Sequence, residues 1–104
     1  MTDKYVLDGK YPRKVEDLLE WAKLFETTDR IVAEDWIGDV RISTIFMGLD
    51  HRFGAGPPLL FETMIFEGDK DYQTRCTTWV QAEAMHVKAV AFARSGARVL
   101  EPEP

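Results

Sequence analysis

Residues 44–66 read TIFMGLDHRFGAGPPLLFETMIF. Two β-branched and aromatic runs enclose a loop that holds Asp50, His51, Arg52, two glycines and the pair Pro57-Pro58. Apolar runs bounded by Gly and Pro are strand signals. The glycines supply unusual dihedrals, and the prolines stiffen the loop exit. Working outward, Gly38-Asp39 splits residues 30–37 from 40–49, which predicts a tight hairpin. Residues 59–66 read as a third strand, 67–71 as a polar turn and 72–77 as a short fourth strand.

Helices flank this block. Over residues 13–26, Val15, Leu18, Leu19, Ala22 and Phe25 recur at helical spacing, with Trp21 at the edge and Glu16 and Asp17 in the first turn. Thr78 and Gln81 have the spacing of a capping box, which opens a second helix over 79–95 with Gly96 as C-cap. The expectation is an α+β fold of order α-β-β-β-β-α. Its four-stranded antiparallel sheet would carry two helices packed on one face. Residues 1–12, with Gly9 and Pro12 as breakers, are expected to be irregular, 13–96 to form a single domain and 97–104 to be a disordered tail. Leu18, Trp21, Phe25, Phe46, Phe61, Met85 and Phe92 are the expected core.

A chain of 104 residues suits one domain. Its 45% hydrophobic and 30% charged residues are ordinary for a globular protein. The net charge of −5 argues against non-specific nucleic-acid binding, which needs Lys and Arg against phosphates, and is compatible with a basic protein partner. A lone cysteine, Cys76, forms no internal disulfide, and no long apolar run suggests a membrane span or leader. The expected location is the cytoplasm.

The second helix is apolar nearly all round. Ala82, Met85, His86, Ala89, Phe92 and Ala93 form one arc, and Val80, Ala84, Val87 and Ala91 form a patch on roughly the opposite side. That patch is expected to pack on the first helix, on a second copy in a homodimer or on another partner; Ala84 and Ala91 permit the close approach that self-association needs.

The ionisable and special residues of the 50–58 loop make it the expected functional surface. Asp50, His51, Arg52 and Phe53, joined by Glu62 and His86, are the candidate ligand- or partner-binding residues. Glu83-x-x-His86 has metal-ligand spacing, but two histidines do not suffice for a His-rich site, and His86 in an apolar arc reads first as a hydrogen-bonded core residue. Gly54-Ala55-Gly56 resembles a shortened phosphate loop, yet Pro57 and Pro58 offer no N–H and no helix follows. Cys76 sits in an alternating strand without an evident base. No catalytic residue, metal or cofactor is expected.

Gly48-Leu49-Asp50-His51, Phe53-Gly54, Gly56 through Met64, Phe66, Thr78-Trp79, Ala82 and His86 together resemble a family of small uncharacterised proteins of bacteriophages and prophages. The chain departs from that pattern at Met85, where the family carries a small residue. The resemblance covers about half the chain. It implies a phage-accessory context in the host cytoplasm and no established activity. The leading expectation is a non-enzymatic accessory protein that binds a protein of host or defence machinery. The alternatives are a small-ligand, nucleotide or metal-binding domain, enzymatic or not, using the 50–58 loop, and a minor structural component of the virion.

Overall fold

Glycine at the first central position of a two-residue turn, with positive φ, reverses a strand without splaying the hairpin. The chain uses this device twice. A computed structural model describes residues 2–67 and 70–95. In it Gly9 (φ 64°) turns β1 (Lys4–Asp8) into β2 (Tyr11–Val15), and Gly38 (φ 60°) turns β3 (Ile31–Ile37) into β4 (Val40–Phe46). β5 (Phe61–Glu67) and β6 (Lys70–Cys76) complete a four-stranded antiparallel meander in the order β3-β4-β5-β6. The helices are α1 (Leu18–Thr27) and α2 (Trp79–Ser95).

The α+β class and the four-stranded antiparallel sheet are as expected. Three features differ. Residues 4–15, expected to be part irregular and part helix, form a second, two-stranded sheet. Pro12 is tolerated there because β2 is an edge strand. The first helix therefore starts at Leu18 rather than at residue 13, capped by Asp17, whose Oδ1 accepts from Leu19 N (2.8 Å) and Glu20 N (3.1 Å). The two helices do not share one face. α2 lies across the four-stranded sheet, whereas α1 packs on the β1–β2 hairpin.

Because a two-stranded hairpin covers little, α1 buries no residue fully. Trp21, Leu24 and Phe25 are half-buried, while Leu18 and Leu19 are 62% and 78% exposed. Leu18 thus leaves the expected core. Phe46 and Phe61 are fully buried, and Trp21, Phe25, Met85 and Phe92 are half-buried.

The core has two apolar clusters under α2. Phe46, Leu60, Phe61 and Ala82 form one, joined by Tyr5 and Leu7 of the hairpin and by Trp79. Ile42, Ile65 and Ala89 form the other, joined by Tyr72 and Phe92. The opposite face of the sheet, with Trp36 and Phe66 exposed, carries no helix among the described residues. There Arg41 lies over the Phe66 ring (5.0 Å) and pairs with Glu34 (2.9 Å). No helix among the described residues is long and apolar enough to cross a membrane. Gly96 and the expected tail lie outside the described residues.

Gly48 joins the hairpin unit to the sheet. Its carbonyl accepts from Tyr5 N (2.8 Å) and from the Trp21 indole N–H (3.2 Å), which is shared with the Tyr5 carbonyl (3.0 Å). Phe25 stacks on Trp21 (4.8 Å between centroids) and rests where a Gly48 side chain would stand, 2.3 Å from an added Cβ. Gly48 also holds φ at 77°. Gly48→Ala is expected to cost about 2–4 kcal/mol, combining left-handed strain with a clash against a ring held by its stack. Urea unfolding measures it. An unchanged midpoint would show that the hairpin does not depend on this contact.

Candidate functional site

A 14-residue connection from Met47 to Leu60 needs internal hydrogen bonds to hold one shape. Its neck continues the β4–β5 pairing, with Met47 N donating to Leu60 O (2.7 Å) and His51 N to Leu59 O (3.0 Å). Asp50 N also donates to Asp3 O (3.1 Å), which ties the neck to the N-terminal segment.

Asp50 holds both arms of the loop. Its Oδ1 accepts from Arg52 N (2.9 Å) on one arm and Leu59 N (3.0 Å) on the other. Its Oδ2 pairs with Arg52 Nε (2.8 Å), and the side chain is only 6% exposed. Arg52 in turn donates through its guanidinium to the Gly56 carbonyl. Asp50 and Arg52 are therefore engaged within the loop. His51 is half-buried, and Phe53 stands at the tip, 97% exposed. Positive φ at Gly54 (76°) and Gly56 (118°) shapes the tip beside it.

Glu62 and His86 lie elsewhere. Glu62 projects from the face of β5 opposite α2, where its Oε2 accepts from Gln73 Nε2 (2.7 Å) and pairs with Arg75 Nε (3.0 Å). His86 projects from α2 into the other face. Asp50, His51, Arg52, Glu62 and His86 therefore do not form one ligand set. Glu83 is exposed and does not share a ligand position with His86, and no group of three or more His, Cys, Asp or Glu among the described residues is placed to hold a metal ion.

His86 belongs to a buried chain of polar groups between the two apolar clusters. Its Nδ1 lies 2.7 Å from Thr44 Oγ1, its Nε2 lies 2.8 Å from Asp35 Oδ2, and Thr44 Oγ1 lies 2.5 Å from Thr63 Oγ1. Proton counting sets the directions for a neutral ring. The Asp35 carboxylate only accepts, so Nε2 carries the hydrogen. Nδ1 is then bare and accepts from the Thr44 hydroxyl, which accepts from Thr63.

The groups are those of a hydroxyl–imidazole–carboxylate triad, but their exposure is reversed. Thr44 and Thr63 are fully buried, whereas the Asp35 side chain is 55% exposed. No substrate carbonyl reaches the Thr44 hydroxyl, so the chain serves packing rather than acyl transfer. With these directions, Thr44→Val leaves both His86 Nδ1 and the Thr63 hydroxyl unpaired and is expected to cost about 1–3 kcal/mol, whereas Thr63→Val removes a single terminal donor and is expected to cost less than about 1 kcal/mol. Equal losses in thermal unfolding would reverse the assignment.

Cys76 lines a shallow cleft between β6 and α2 with Leu59, Thr74, Gln81, Met85 and Lys88. Burial pushes its thiol above the usual range, and its Sγ lies 3.7 Å from the Thr78 carbonyl. A nucleophilic cysteine needs the opposite shift. Less thiolate at any given pH means slow alkylation. Iodoacetamide labelling of folded protein at pH 7–8 is expected to lag behind that of the unfolded chain and to accelerate only at more alkaline pH.

At the other end of the cleft the expected capping box is formed. Thr78 Oγ1 accepts from Gln81 N, and Gln81 Oε1 accepts from Thr78 N, both at 3.1 Å. On the outer side of α2, Val80 and Val87 are 74% and 67% exposed, and Ala84 and Ala91 are exposed with them. The first helix does not cover this patch. Comparison with family models, with curated proteins and with solved structures returns no match to the chain.

Proposed function

We propose that the chain is a non-catalytic protein-binding module that engages its partner through the 50–58 loop. The observation that carries this reading is a fully exposed aromatic ring, Phe53, on a loop already clamped by Asp50 and Arg52. Exposed aromatic side chains on ordered backbone are favoured binding anchors, because little freedom is left to lose on association. The loop's two principal charges, Asp50 and Arg52, neutralise one another, so the tip offers apolar contact rather than a charged site. The chain's net charge of −5 disfavours anionic lipid surfaces and nucleic acid and favours a neutral or basic protein surface. The resemblance of residues 48–66 to small phage and prophage proteins supports an accessory role in the host cytoplasm, with host or defence machinery as the partner.

Phe53→Ala separates binding from folding because the ring makes almost no contact within the chain. The expected result is stability within about 0.5 kcal/mol of the parent, together with loss of partner capture in cells and of the carrying phage's accessory phenotype. Asp50→Ala is the contrasting variant, expected to loosen the loop and cost about 2–3 kcal/mol through three lost contacts to a buried carboxylate. Partner capture undiminished by Phe53→Ala would place the binding surface elsewhere.

A further inference from the structure

The outer face of α2 carries charges placed to complement a second copy of itself. Val80, Ala84, Val87 and Ala91 follow one another at spacings of four, three and four, which is the seam of a two-helix coiled pair. The seam faces outward because the inner face is committed: Ala82, His86 and Ala89 are buried against the sheet. Glu83 stands on one flank and Lys88 on the other, and neither has an ion-pair or hydrogen-bond partner among the described residues.

We propose that α2 pairs with α2 of a second copy, side by side and parallel, along this seam. Glu83 and Lys88 are five residues apart on opposite flanks. In a parallel pair, residues so placed meet across the interface. Glu83 of each copy then pairs with Lys88 of the other, twice by symmetry. An antiparallel pair brings like flanks together, setting Glu83 beside Glu83 or Val90, and Lys88 beside Lys88 or Gln81, with no complementary contact. The local charge also suits self-association. The chain carries −5, yet α2 holds one acidic residue, Glu83, against Lys88 and Arg94. Two copies therefore meet on an element free of the negative excess that would repel them elsewhere. Ala84 and Ala91 let the helices approach, and Val80 and Val87 fill the alternate layers.

This pairing does not rest on the reading of the 50–58 loop, and its test is separate. The full chain is followed by sedimentation across a concentration series, with 11.9 kDa as the monomer mass. A dimer of twice that mass is expected. Val87→Glu should return it to monomer with unchanged thermal unfolding, since Val87 is largely exposed within one copy. Glu83→Lys alone and Lys88→Glu alone should each weaken the dimer about tenfold or more, because each replaces two attractions with two repulsions. The double reversal should restore it. A chain that stays monomeric at every concentration overturns the proposal. So does a dimer indifferent to Val87→Glu, which would lie on another surface such as the open sheet face. A double reversal as weak as the combined single variants overturns the parallel pairing.

Discussion

The hydrogen-bond chain from Thr63 through Thr44 and His86 to Asp35 fixes where α2 sits. Apolar contacts alone would allow a helix as uniformly apolar as α2 to slide or rotate on the sheet, since Ala, Val and Met make interchangeable contacts. Buried hydroxyls and an imidazole do not allow that. A shift of one residue would strand the His86 ring and the Thr44 hydroxyl in the core, at roughly 1–3 kcal/mol each. The chain therefore sets which residues of α2 face inward, and so which stripe faces out. It also splits the core into two clusters, a loss of continuous packing offset by a single specified arrangement.

Gly48 does for the N-terminal unit what His86 does for α2. Its carbonyl receives the Tyr5 amide and the Trp21 indole, and its missing side chain admits Phe25. The hairpin and α1 thereby meet the β4–β5 connection two residues before Asp50 starts the clamped loop. Because Asp50 N also bonds to Asp3 O, the base of the loop is held from the N-terminal side as well as by the sheet.

Local signals in the sequence found what is locally determined. Gly38-Asp39, the cap at Thr78 and Gln81, and the inner arc of α2 all stand where their spacing placed them. The same glycine turn at Gly9 was hidden, because β2 offers Arg13 and Lys14 beside Pro12 and buries only Val15 fully, so alternation is hard to see. Val15 also falls in helical step with Leu18, Leu19 and Ala22, so the helical period runs on into β2, ahead of where α1 begins. Leu18 has the period of a core residue, but its exposure depends on how little the hairpin covers, which no local pattern encodes. His86 reads as a hydrogen-bonded core histidine. Its partners, 42 and 51 residues away in sequence, become visible only in three dimensions. At the loop, residue types alone do not separate scaffold from surface; geometry does, since Asp50 and Arg52 hold the loop and Phe53 faces solvent.

The two proposed surfaces bear on each other through the direction of α2. The 50–58 loop leaves the sheet at Phe46 and returns at Phe61. Phe61 packs edge-on against Trp79, the first residue of α2, at 6.2 Å. The loop therefore lies near the N-terminal end of the helix. In a parallel pair the two N-terminal ends coincide, so both Phe53 tips emerge at one end of the dimer. An antiparallel pair would send them to opposite ends. One aromatic anchor on a short loop supplies too small a contact for tight binding, as stable interfaces bury on the order of 1,200–2,000 Å². Two anchors on one rigid dimer act together, because once the first is seated the second binds at a high effective concentration. The helix that buries His86 on one side would then convert a weak single contact into a bivalent one through its other side.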